Sequence, residues 1–218
     1  MRSAADFDSH YRSPDPWGIG RARHRDRALS RIVGPHVAGK DVLELGCGEG
    51  HLTESLLRSA RSVRGVDISP IAITRASARA LPNASFQAAD FLDVAFAGYD
   101  VITAIECLYY LSQGEQEAFF RKLVHEHPGG IVILSGPIIG ANEHRAYFTD
   151  GGLRKTFASH GLSLIEWRNL NAYRRAGLAA TVAAACLRLP LSNGLLDILP
   201  ERLVYQRCYV VRCPDRAA

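Results

Sequence analysis

The stretch that most constrains this 218-residue chain is Val42-Leu43-Glu44-Leu45-Gly46-Cys47-Gly48-Glu49-Gly50, an apolar run that breaks into a glycine-rich turn and then into a helix-patterned segment from His51 to Arg58. Gly46, Gly48 and Gly50 let the backbone turn sharply and approach a ligand closely, where a Cβ would block both. The helix that follows offers free backbone N–H groups at its N-terminus. A strand, a tight turn and a helix start in this order mark a seat for a nucleotide-like ligand. The glycines fall at alternate positions, and His51 stands where the third glycine of a G-x-G-x-x-G dinucleotide loop would fall, so the spacing speaks against NAD. Glu44, just ahead of the turn, would repel a pyrophosphate but suits a positively charged amino group.

Five short apolar runs alternate with helix-patterned segments: Asp41 to Leu45, Ser62 to Val66, Ala84 to Gln87, Asp100 to Ile105 and Gly130 to Ser135. Near-continuous apolar runs such as Val42-Leu43 and Val101-Ile102 belong to parallel strands covered on both faces by crossover helices. A helix from Thr149 to His160, a strand from Ser163 to Trp167 and a last strand from Val204 to Arg212 bring the expected strands to seven. Residues 169–200 read as an insertion before the last strand, with an Ala/Leu-rich helix near Ala176 to Leu189. Residues 1–40 read as an N-terminal arm and helix that lids the site, and 41–218 as one core domain.

Asp67 closes the second strand at about the distance at which an acidic residue meets ribose hydroxyls in such sites. A carboxylate accepts two hydroxyls well. Asp90 ends the third strand, where it can accept from an adenine amino group while Ile68 or Phe91 covers the ring. The plainer alternative for either aspartate is a helix cap. All three strand ends converge on one crevice, as open α/β sheets require, and Glu44 with the glycine spacing favours a ligand there that bears an ammonium and a sulfonium.

With the glycine loop, Asp67 and Asp90 in place, the stretch from Asp41 to Trp167 resembles the class I S-adenosylmethionine (SAM)-dependent methyltransferases. Tyr11-Arg12-Ser13-Pro14-Asp15-Pro16-Trp17-Gly18, with Ile105-Glu106-Cys107-Leu108-Tyr109-Tyr110-Leu111, is similar to the nodulation N-methyltransferase (NodS-like) group. The wider resemblance implies a Rossmann-like α/β fold, a seven-stranded mostly parallel sheet with an antiparallel last strand and helices on both faces. It also implies SAM as cofactor, S-adenosyl-L-homocysteine (SAH) as its product, and Gly46, Cys47, Gly48 and Ile105 among the cofactor's neighbours. The narrower one implies N-methylation of a small, sugar-derived or natural-product amine. Methylation of a hydroxyl or of RNA, and a SAM-binding partner protein without turnover, are the readings left open.

Methyl transfer from a sulfonium needs above all a nucleophile held near attack distance. Glu106 follows the buried Val101 to Ile105 run at the crevice and is the leading candidate to attract an ammonium acceptor and help remove its proton; otherwise it caps the next helix or pairs with an arginine. Tyr109 and Tyr110 are expected to shape the acceptor pocket. His144, in the segment Asn142 to Tyr147, is a second-choice base. Tyr11 and Trp17 are expected to close over the methionine end of SAM. Arg21 and Arg23 read as a solvated helix face, with the SAM carboxylate as their alternative partner.

Composition adds little beyond exclusions. A formal net charge of +4 fits a nucleic-acid partner only weakly, and the lack of a recognition module beside the Arg21 to Arg31 cluster disfavours one. Five scattered cysteines without a C-x-x-C pair, and no apolar leader, fit the cytoplasm. The longest apolar stretch is shorter than the roughly 20 residues a membrane span needs. His125-Glu126-His127 has i, i+2 spacing that does not gather both imidazoles on one helix face, so no metal is expected. The sequence leaves a homo-oligomer open.

Overall fold

The computed structural model describes residues 3–21, 23–142, 145–172, 197 and 199–216. Its strands are β1 (Asp41–Leu45), β2 (Ser62–Asp67), β3 (Ala84–Ala88), β4 (Val101–Ile105), β5 (Ile131–Pro137), β6 (Ser163–Ala172) and β7 (Val204–Arg212). They form one sheet in the order β3-β2-β1-β4-β5-β7-β6. The first five pair in parallel, and β7 runs antiparallel to both β5 and β6. The fold is therefore the seven-stranded Rossmann-like sheet that the sequence predicts, with its last strand reversed.

Side chains of successive strand residues point to opposite faces. Leu43, Ile102 and Val132 pack in one apolar cluster together with Phe119 and Phe120 of α5 (Gln113–Glu126) and Phe157 of α6 (Asp150–Ser159). Val42, Val101 and Ile133 pack in a second with Leu29 and Val33 of α2 (Arg23–Val37) and Leu52 and Leu56 of α3 (His51–Leu56). Both faces are thus covered, as the continuous apolar runs demand. The strand order reverses between β1 and β4, and ligand crevices open at such a switch point beyond the strands' C-terminal ends.

Caps fix where the helices begin. Thr149 accepts the Gly152 N–H at 3.0 Å to start α6. Ser69, rather than Asp67, caps α4 (Pro70–Ser77) by accepting the Ala72 N–H at 3.2 Å, which leaves the Asp67 carboxylate for other partners. A Ser3–Asp6 capping box starts α1 (Ala4–His10), a helix within the N-terminal arm.

Several boundaries shift by one or two residues from expectation, β5 running Ile131–Pro137 instead of Gly130 to Ser135 among them, and two shifts bear on the architecture. The helix after the glycine loop ends at Leu56 instead of Arg58. The sixth strand runs on past Trp167 to Ala172, because β7 offers it a long antiparallel partner with register shifts near Asn169 and Asn171. Its last four residues, read as the start of the insertion, are therefore sheet. The expected helix near Ala176 to Leu189 lies outside the described residues.

The far edge is pinned by a buried charge cluster. Arg207 of β7 donates to Asn169 Oδ1 at 2.7 Å and pairs with Asp150 at 2.5 Å, while the Tyr209 hydroxyl donates to Asp150 at 2.7 Å. Burial opposes the Asp150 charge, but hydrogen bonds from Arg154, Tyr209 and Arg207 outweigh it and hold the carboxyl below its usual range.

Phe119 is fully buried and meets Phe91, Phe96 and Phe120 edge-on, with ring centroids 6.2, 5.8 and 5.4 Å away. Phe119→Ala should cost about 3–5 kcal/mol of stability in urea unfolding, from lost burial plus a cavity. A loss below about 1 kcal/mol would mean that the site collapses without it.

Candidate active site

The crevice at the switch point is a cavity of about 290 Å³. Its floor is the turn after β1. Gly46 and Gly48 have φ of +68° and +55°, in the left-handed region where side chains are strained. A Cβ at Gly46 would stand 2.7 Å from Cys107 Cβ, and one at Gly48 would stand 2.9 Å from the Tyr11 hydroxyl. The backbone is therefore bare where the cavity is narrowest. Cys47 is tied into the sheet through its N–H to Val66 O at 3.0 Å, and its side chain joins the wall.

Asp67, at the tip of β2, accepts the Gly48 N–H at 2.9 Å and the Ser69 N–H at 2.9 Å, one on each oxygen. Burial pushes its carboxyl up against the opposing effect of those two bonds. Asp90 follows β3 and faces the same cavity while also accepting the Leu92 N–H at 2.9 Å, so the turn-capping and wall positions coincide in one residue. Ile68, Phe91 and Ile105 complete the apolar wall around them.

Glu106 projects from the end of β4 with φ +58°, an unfavourable conformation for a residue with a Cβ. Its carboxylate accepts the Ser135 hydroxyl at 2.9 Å and the Gln206 amide N–H at 2.9 Å. Tyr109 and Tyr110 stand beside it on the same wall, their rings 4.8 Å apart, and Tyr147 lies 5.0 Å from Tyr109. Burial, then the nearby Glu106 charge, push the Tyr109 phenol far up, so it stays a neutral hydroxyl.

The arm covers the opening. Tyr11 is buried over Gly48, and burial raises its phenol pKa too. Trp17 is 40% exposed, stacks on His10 at 5.2 Å and leans toward Tyr110 at 6.3 Å.

The wall also holds residues that sequence reasoning passed over. Glu49 is buried and accepts the Asp15 N–H at 2.8 Å and Arg75 Nη1 at 2.5 Å, which joins arm, loop and α4. Against its burial, those bonds and one from His51 hold its carboxyl low. An acid between two turn glycines was the available signal. Gln206 gave none, because only the antiparallel register of β7, Pro137 opposite Gln206, carries it to the cavity.

Glu44 departs from expectation. Strand alternation sends it away from Leu43 and Leu45, beneath α3, where it accepts a short bond from the Thr53 hydroxyl. It lies behind the cavity wall and not on it, so direct contact with a ligand's amino group is not what this geometry offers. His144, like Glu143, lies outside the described residues, as do the side chains of Arg21 and Arg23.

A crevice at the β1/β4 switch, floored by bare glycine backbone and rimmed by strand-end carboxylates, sits where Rossmann-like sheets bind their ligands. Residues 42–128 match the family described as a methyltransferase domain. That match takes in β1 to β4 and α5, the part of the chain that carries the glycine turn, Asp67, Asp90 and Glu106. A ubiquinone biosynthesis O-methyltransferase of Paraburkholderia phytofirmans is 35% identical over 108 residues, 46% of this chain and 45% of that protein. Nodulation protein S of Azorhizobium caulinodans is 33% identical over 109 residues, 47% of this chain and 52% of the relative. The chain spans about half the length of the curated relatives it matches. The solved N-methyltransferase NodS of Bradyrhizobium japonicum WM9, in complex with SAH, superposes with a TM-score of 0.70 at 20% identity over 97% of this chain and 98% of that one, a likeness of fold.

Burial raises the Glu44 carboxyl to about 7, against the lowering effect of its Thr53 bond. A carboxyl raised on folding binds its proton more tightly in the native state, so its contribution is neutral below the unfolded value and destabilising as pH rises through about 7. Glu44→Gln should therefore match the native chain near pH 4 and exceed it in stability by about 2–3 kcal/mol at pH 8. Chemical unfolding at a series of pH values checks this, and a difference that does not grow with pH would refute it.

Proposed function

We propose that this chain is a SAM-dependent methyltransferase that acts on a small-molecule amine. The observation that carries the reading is the composition of one wall: Glu49, Asp67, Asp90 and Glu106 face the cavity, and no Lys or Arg does so among the described residues. Such a wall disfavours phosphate-rich ligands and favours a cationic one. SAM, with its ammonium and sulfonium, fits that charge, and the glycine floor fits its close approach.

In this reading Asp67 accepts the ribose hydroxyls and Asp90 the adenine amino group, with Ile68 and Phe91 covering the ring. Gly46, Cys47 and Gly48 present their backbone to the methionine end, under Tyr11 and Trp17 as a lid. When bound, SAM supplies an electrophilic methyl: the nitrogen lone pair forms the new N–C bond as the C–S pair returns to sulfur, leaving SAH. Glu106 attracts the acceptor, points its nitrogen at the cofactor side and receives the proton that the nitrogen sheds, passing it to solvent. Tyr109 and Tyr110 line the approach; their π-faces suit a cationic nitrogen and are neutral toward its carrier.

Methylation of a hydroxyl is supported by the relationship to the ubiquinone O-methyltransferase, but the acidic wall repels a phenolate, and this sets the amine ahead of it. SAM turnover measured as SAH release across matched panels of amines and phenols distinguishes the two, with amines expected to be used. Turnover of phenols alone would reverse the assignment.

Two substitutions separate binding from chemistry. Asp67→Ala should weaken SAM binding by about 1.5–3 kcal/mol in calorimetry, through lost charge-assisted hydrogen bonds; unchanged affinity would remove Asp67 from the cofactor site. Glu106→Gln should lower kcat well below the native value while SAM affinity stays within a few-fold. Equal turnover would leave Glu106 a structural residue.

A further inference from the structure

The described part of Glu106's environment is built around its two oxygens. Ser135 ends β5's run alongside β4 and sits directly across from Ile105 in the parallel register. Its carbonyl accepts the Glu106 N–H at 3.0 Å while its hydroxyl donates to Glu106 Oε1 at 2.9 Å, so one residue grips both the backbone and the side chain of the strained position. Gln206 reaches Oε2 at 2.9 Å from the opposite side. An amide can present either its donor or its acceptor end. Here the Gln206 N–H is turned toward Glu106, and its Oε1 faces Asn171 Nδ2 of β6 at 3.5 Å.

We propose that Gln206 and Ser135 are positioning residues that hold Glu106 as an oriented anion over the acceptor side of the cavity, and so make that side selective for an acceptor atom that carries a proton, the amine of the proposed function among them. The proposal rests on reading the cavity as a methyl-transfer site. The Gln206 N–H can only donate, and with the Ser135 hydroxyl donating to the other oxygen the pair of bonds is the one that an ionised, acceptor-only carboxylate receives. An ionised carboxylate fixed in this way serves an ammonium or an amine N–H, and it has nothing to offer a group without a hydrogen to give. Gln206 faces the cavity itself, so the clamp and the acceptor share one wall. β7 is the reversed strand, and its register against β5 is what places Gln206 there.

The test is carbon-13 NMR of protein labelled at glutamate carboxyls, titrated without cofactor, with the Glu106 signal assigned by its loss in Glu106→Gln. Gln206→Leu and Ser135→Ala should each move the midpoint of that signal up by roughly one pH unit relative to the native chain, through loss of a bond to the charged form. Either variant alone decides the matter if the other fails to fold. Unchanged midpoints in folded variants would overturn the clamp. SAH binding by the native chain, measured separately by calorimetry, tests the cofactor reading: if SAH does not bind, the role in methyl transfer falls even where the midpoints shift. If SAH binds and the midpoints shift, the acid limb of the amine turnover profile should move to higher pH in the same two variants.

Discussion

The hydrogen bond from the Gly48 N–H to Asp67 joins the tips of β1 and β2 across the mouth of the crevice, and much of the site depends on it. The turn after β1 must leave the sheet, pass under Tyr11 and enter α3, which forces positive φ at alternating residues. Such a turn has few internal partners of its own. Asp67 supplies one from the neighbouring strand and, through its other oxygen, secures Ser69 at the start of α4. A single carboxylate thereby fixes two helix entries around one opening. Burial opposes its charge, the two N–H groups support it, and a ligand hydroxyl would add support of the same kind.

On the other side of the switch the chain uses strain. A left-handed residue that carries a Cβ costs about 1–2 kcal/mol, and Glu106 occupies that conformation at the point where β4 gives way to the 3-10 turn Leu108–Tyr110. The bonds to Ser135 and Gln206 are of the right size to offset that cost. The strain has a geometric effect: the carboxylate turns back over the strand ends, toward the cavity, instead of following the chain. Backbone strain retained at a cavity wall is a common mark of a working site.

The alternation of apolar runs and the glycine turn made the sheet, its seven strands and the cofactor crevice readable in the sequence, because each of these is set by residues near one another in the chain. Asp67, Asp90, Phe91 and Ile68 were legible for that reason: each sits at a strand tip whose position follows from the topology. Glu44 was misplaced because residue spacing says that it precedes the turn, whereas the face it occupies depends on which side α3 packs. Gln206 and the extension of β6 to Ala172 were invisible, since both follow from antiparallel pairing between segments far apart in sequence. The same holds for Glu49, whose partners Asp15 and Arg75 come from the arm and α4.

The division has a physical consequence. One side of the cavity is assembled from the tips of parallel strands β1, β2 and β3, each followed at once by a turn or helix, so its geometry is specified locally. The other side of the cavity lies where β4 and β5 approach the reversed strand β7, and its wall includes Tyr109 and Gln206, which reach it from a 3-10 turn and a distant strand, with Tyr147 packed behind Tyr109. Glu106 stands on the seam between these two regions. Its backbone continues β4, and its carboxylate is held in part by Gln206, so the direction in which that carboxylate points turns on the registry of one antiparallel strand.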